Sequence, residues 1–155
     1  MPRILIADDH ESGRTLLKTL LTGQRNWAVC GEAVNGLDAV RKAAELKPDL
    51  IVLDFSMPIL DGVQTATEIL KLTPAVPIVF FTLHNSPQLE AEAARIGVRK
   101  VVSKSEAMTL IAALEHVLGL ASIGPLAVPT DQESGPATGV TLSEPPSGPS
   151  QGADS

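Results

Sequence analysis

Five short apolar runs, spaced by segments of helical periodicity, constrain this chain more than any other feature of its sequence. The strand-like runs are 3–7, 28–33, 50–54, 77–82 and 98–102. Helical spacing of apolar residues marks 11–22, 36–47, 64–72, 87–96 and 105–118, with Leu16, Leu17, Leu20 and Leu21 along one such face. A strand followed by a helix, five times over, predicts an α/β domain with a parallel sheet covered on both sides. The third and fourth runs are continuously apolar rather than alternating, as strands buried on both faces require. The punctuation agrees. Asn35 can cap a helix with Asp38 in its first turn, Ser86 precedes Pro87 at a first helical position, and Gly97 stands where a helix ends in a left-handed residue. Ser105 is read as the cap of the last helix.

Four of these runs end in a polar group. Asp8 and Asp9 follow the first, Asp54 the third, Thr82 the fourth and Lys104 the fifth. In an open parallel sheet, ligands bind outside the carboxyl ends of the strands, so these groups converge on one pocket. Clustered carboxylates repel one another unless a cation is present. Mg²⁺ suits them, since it takes hard oxygen ligands and bridges carboxylate to phosphate. An aspartate so compensated can attack phosphorus and become an acyl phosphate. The equatorial oxygens of the transferred group then need an ammonium and hydrogen-bond donors, which Lys104, Thr82 and the backbone after Asp54 can supply. Each residue alone has a plainer explanation: a turn aspartate, a solvated lysine, a strand threonine, acids at a helix start. Their coincidence at one sheet edge does not.

The segments Ile6-Ala7-Asp8-Asp9, Val52-Leu53-Asp54-Phe55-Ser56-Met57-Pro58, Leu60-Asp61-Gly62, Phe80-Phe81-Thr82 and Val101-Val102-Ser103-Lys104 together resemble the receiver domain of two-component response regulators, the CheY-like family, over about residues 3–118. The resemblance implies a single doubly wound, flavodoxin-like (βα)5 domain with strand order 2-1-3-4-5. It also implies that Asp54 accepts a phosphoryl group from a histidine kinase or phosphotransfer protein. By the same match Asp9, Asp54 and the backbone carbonyl of Ser56 ligate Mg²⁺, Asp8 acts through a bound water, and Lys104 and Thr82 contact phosphoryl oxygens. Asp61-Gly62 is read as structural turn chemistry.

Two departures stand out. Val101 occupies the place where the family usually carries a Tyr or Phe that moves on phosphorylation, and Ser105 the place where a proline often follows the lysine. His84, two residues beyond Thr82, is a candidate for tuning phosphoryl lifetime. His10 and His116 are read as surface residues.

Charge narrows the partners. All 12 Lys and Arg lie in residues 1–118 beside 14 of the 18 acids, so no basic face is offered to nucleic acid and direct DNA binding is not expected. The receiver portion resembles those of helix-turn-helix transcription factors around Phe81-Thr82-Leu83-His84, yet residues 119–155 show no helical pattern or basic patch. They carry six each of Gly, Pro and Ser and are read as a disordered tail following a receiver domain at 1–118. The single Cys30 is compatible with a reducing interior. No signal peptide or membrane span is predicted, and a cytoplasmic location follows.

The expected function is a stand-alone, non-enzymatic response regulator that signals through a phosphorylation-dependent protein-interaction face, with a homodimer as one outcome and the downstream partner unidentified. The alternative is an adaptor that keeps the shape and signals without phosphate. Two enzyme readings fit less well. An aspartate-nucleophile phosphatase needs a second acid where Ser56 stands, and a flavin carrier needs a phosphate loop where Asp8 and Asp9 would repel the phosphate.

Overall fold

The computed structural model describes residues 1–23 and 26–119. The tail reading for 119–155 lies outside the described residues apart from Gly119; the elements below all fall within one compact unit, Met1–Leu118.

The apolar runs become strands β1 (Arg3–Ala7), β2 (Ala28–Ala33), β3 (Leu50–Leu53), β4 (Ile78–Thr82) and β5 (Lys100–Ser103), joined by helices α1 (Glu11–Thr22), α2 (Gly36–Leu46), α3 (Gly62–Leu72) and α4 (Pro87–Ile96). A 3-10 segment, Lys104–Thr109, and then α5 (Leu110–Val117) close the unit. All strand pairs are parallel, and the sheet order is β2-β1-β3-β4-β5, as the resemblance implied. Every residue of β3 and β4 is buried, which is why those two runs show no alternation in sequence.

Successive side chains on a strand point to opposite faces, and this splits the core in two. Leu5, Ile51, Leu53, Ile78 and Phe80 pack with Ala39, Ala43, Ala66, Ile69, Leu89 and Ala93 beneath α2, α3 and α4. Ile4, Ile6, Leu50, Val52, Val79, Phe81 and Val102 pack with Leu17, Leu21, Trp27, Leu110 and Leu114 beneath α1 and α5. Each fully buried aliphatic or aromatic side chain contributes about 1.5–3 kcal/mol of transfer free energy.

The helix ends follow their sequence signals. Asn35 accepts from Asp38 N–H, Ser86 accepts from Leu89 N–H, and Gly97 ends α4 with φ 100°. Asp61 opens α3 two residues earlier than the apolar spacing suggests: its carboxylate accepts from Gln64 N–H while the Gln64 side chain accepts from Asp61 N–H. Gly62 permits this start, because a Cβ there would lie 2.6 Å from Phe55 Cα and 3.0 Å from the Asp54 carbonyl oxygen. The structural reading of Asp61-Gly62 therefore holds. The capping role expected of Ser105 does not. Ser103 Oγ accepts from Ser105 N–H instead, and the following 3-10 segment breaks at Glu106 (φ −119°, ψ 42°), so that α5 begins only at Leu110. Met108, within the segment of helical spacing, is 84% exposed.

Candidate functional site

Parallel pairing brings the carboxyl ends of the strands level with one another. Ala7 pairs with Leu53, so Asp8 and Asp54 leave the sheet side by side. Asp8 N–H donates to the Ala33 carbonyl and Asp54 N–H to that of Ala7, which extends the ladder one step and fixes both backbones. The carboxylates are buried, with Asp8 at 0% and Asp54 at 5% exposure. Lys104, just past β5, reaches over them: its Nζ lies 2.7 Å from Asp8 Oδ2 and 3.4 Å from Asp54 Oδ2.

Asp8 has both oxygens committed, Oδ2 to Lys104 and Oδ1 to the His10 N–H at 2.8 Å. Its carbonyl accepts from the Arg14 guanidinium, which also donates to Glu32. Asp9, by contrast, holds an orphan: its Oδ1 is sealed from solvent and accepts no hydrogen bond, alone in this among the described residues. Asp54 Oδ1 receives only a long contact, 3.3 Å, from Ser56 N–H.

The titration behaviour follows from this arrangement. Burial pushes the Asp54 carboxyl above its ordinary value; Lys104 pulls it back down and Asp8 pushes it up again. For Lys104, burial alone would lower the pKa, but the hydrogen bond to Asp8 and the charge of Asp54 reverse that and hold the ammonium above the ordinary lysine value. One ammonium thus serves a site of three carboxylates. Ligand atoms from Asp8, Asp9, His10 and Asp54 all lie within 4.8 Å of one another. The site's chemistry, oxygen donors with one buried and unpartnered, fits a small hard dication.

Thr82, the last residue of β4, is 2% exposed and one register step beyond the level of Asp54, next to Ser103 on β5. The contacts that tie Asp8, Asp54 and Lys104 together do not include it. His84 is exposed on the loop that follows. Val101 packs against the α2–α4 core and lines a groove of about 470 Å³ with Asn85, Glu90, Thr109, Ala113 and His116.

Sequence reading passed over three residues here. Arg14 anchors the Asp8 backbone. Gly13 makes room for the carboxylate, since a Cβ there would lie 2.1 Å from Asp8 Oδ2. His10, taken as a surface residue, places Nδ1 3.1 Å from Asp9 Oδ1. Only Gly13 carried a signal, a glycine inside a helix where alanine would be more stable.

Residues 4–115 match the family described as the response regulator receiver domain. The chain belongs to that family. Among curated relatives, this receiver is 35% identical over 102 residues to the chemotaxis protein CheY of Thermotoga maritima, covering 66% of this chain and 84% of that protein. It is 37% identical over 110 residues to the response regulator protein VraR of Staphylococcus epidermidis, covering 71% of this chain but only 53% of the longer relative. Among solved structures it superposes on the response regulator domain of Thermotoga maritima CheB with TM-score 0.71 and 29% identity, covering 81% of this chain and 99% of the other. For a LuxR-family response regulator from Aurantimonas the TM-score is 0.74 at 29% identity, covering 77% and 86%. Protein-glutamate methylesterases also match, but this receiver spans only about a third of their length. No described helix of the receiver is long and apolar enough to cross a membrane.

Proposed function

We infer that this receiver is a cytoplasmic phosphoacceptor in a two-component relay, and that Asp54 carries the phosphoryl group. The observation that supports it most is the buried Asp8–Lys104–Asp54 cluster, in which the acid at position 54 keeps an oxygen with only one weak donor. In the proposed reaction an Asp54 carboxylate oxygen forms a bond to phosphorus. The phosphorus–nitrogen bond of a phosphohistidine donor breaks, and the electron pair returns to the imidazole, leaving an acyl phosphate. Lys104 moves from pairing carboxylates to pairing the new phosphoryl oxygens, and Thr82 donates its hydroxyl to another. Asp9, Asp54 and the Ser56 carbonyl would hold Mg²⁺, with Asp8 acting through water. When bound, the ion offsets the charge of the carboxylates and of the phosphoryl group.

The donor is a histidine kinase or a phosphotransfer protein. The output is a protein contact at the face around α4, β5 and α5, or a phosphorylation-dependent homodimer. With valine at position 101, the output works through Thr82 and backbone shifts rather than a ring. Tuning of phosphoryl lifetime by His84 belongs to the same reading.

The test is incubation of the full chain with a small acyl-phosphate donor and Mg²⁺. An acid-stable, base-labile mass gain is expected in the wild type and none in Asp54→Asn. No gain in the wild type favours the phosphate-independent adaptor. The same variant checks the electrostatics. Folded Asp54 holds its proton more tightly than the unfolded chain does, so its ionisation opposes folding as pH rises above the ordinary carboxylate range. Asp54→Asn therefore has a higher Tm than wild type at neutral pH in chelator.

A further inference from the structure

The acidic site carries one side chain that the family match does not assign. His10 occupies the N-cap position of α1, yet its side chain makes no capping hydrogen bond. Its backbone is tied into the pocket by the N–H bond to Asp8 Oδ1. The ring turns toward the acids rather than along the helix: Nδ1 stands 3.1 Å from Asp9 Oδ1 and 3.6 Å from Asp8 Oδ1. Despite the shorter of these distances, Asp9 Oδ1 accepts no hydrogen bond. The two atoms stand in contact without a hydrogen bond, as neighbouring ligands of one cation do. An octahedral ion with bonds of 2.0–2.1 Å separates adjacent ligands by about 2.9 Å, close to the 3.1 Å between Asp9 and His10.

The rest of the pocket points the same way. Both oxygens of Asp8 are engaged, by Lys104 and by the His10 backbone, so direct ligation falls to Asp9, Asp54 and whatever donor stands beside them. His10 is 71% exposed and Asp9 26%, so the pair sits at the mouth of the site.

We propose that His10 is a nitrogen ligand of the divalent cation at this site, which gives the receiver a preference for imidazole-binding transition ions over Mg²⁺. The inference rests on the reading of Asp9 and Asp54 as cation ligands. Imidazole suits first-row transition ions, whereas Mg²⁺ is served by carboxylate, carbonyl and water. A site of carboxylates alone would also take Co²⁺ more tightly than Mg²⁺, so the wild-type ratio decides nothing. The effect of removing the ring on each ion separately does.

The experiment is calorimetric titration of the full chain with Co²⁺ and, separately, with Mg²⁺, in wild type, His10→Ala, His10→Gln and His84→Ala. Loss of the imidazole in either His10 variant weakens Co²⁺ binding by about tenfold or more and leaves the Mg²⁺ affinity within about twofold. His84→Ala matches wild type for both ions. Retained Mg²⁺ binding in the His10 variants shows that the site is folded. Equal Co²⁺ affinity in wild type and His10→Ala overturns the proposal while leaving the phosphoacceptor reading intact, as does an equal loss in His84→Ala. Failure of Mg²⁺ to bind the wild type at all overturns the acidic-site reading and this inference together.

Discussion

The two edges of the sheet use the same residue types to opposite ends. At the amino edge, Arg3 N–H donates to Asp49 Oδ2 at 2.8 Å, the Arg3 guanidinium donates to the Lys47 carbonyl at 3.0 Å, and Asp49 N–H returns a bond to the Arg3 carbonyl. These groups face solvent and satisfy one another. At the carboxyl edge, Asp8 and Asp54 are buried beneath a half-buried Lys104, one cation stands among three carboxylates, and Asp9 Oδ1 has no hydrogen-bond partner. The contrast teaches where reactivity resides. Exposed, mutually satisfied charges tie strand starts together for a small return in stability. Buried, incompletely satisfied ones raise the energy of the resting state and are relieved by whatever binds.

Four substitutions probe that contrast, in falling order of expected effect. Lys104→Ala leaves Asp8 and Asp54 without their ammonium. We expect a loss of about 3 kcal/mol in denaturant melts in chelator, shrinking when Mg²⁺ is added. A loss that ignores Mg²⁺ would mean that Lys104 acts by packing, and the contrast between edges would weaken. Gly13→Ala drives a methyl group into Asp8 Oδ2, and overpacking of that kind costs about 1–3 kcal/mol. Acyl-phosphate labelling and Mg²⁺ affinity should both fall, and wild-type labelling would show that the Asp8 loop gives way freely.

Ile59 marks a third kind of stress at the same edge. It is a β-branched residue at φ 75°, in the loop after Asp54, and it is 67% exposed. Ile59→Asn, which tolerates that backbone, should raise stability by about 1 kcal/mol in a thermal melt. No gain would place the strain elsewhere. The smallest effect belongs to the amino edge: Asp49→Ala should cost less than about 1 kcal/mol and leave labelling unchanged. A change in labelling would show that the two edges are coupled.

The sequence announced most of this architecture because its local signals agree. Strand runs, Asn35, Ser86 and Gly97 all state in one dimension what the sheet and helices do in three. The polar strand ends were legible for the same reason, since a residue that follows a buried parallel strand has only one edge at which to emerge. Contacts set by tertiary approach were not legible. Lys104 sits nearer Asp8 than Asp54, a choice of rotamer and loop path that no spacing encodes. His10 read as a surface residue because exposure and proximity to Asp9 coexist. The start of α5 was misplaced because apolar spacing does not register the Ser103 hydroxyl, which accepts from Ser105 N–H, or the non-helical backbone of Glu106.

The single Trp27 lies 8% exposed just before β2, packed in the α1/α5 layer, and the chain has no tyrosine. Intrinsic fluorescence of this protein is therefore the emission of one indole at the amino edge. It reports global unfolding with a single clean signal, and an extrinsic dye placed near the carboxyl edge would be read without an overlapping aromatic background.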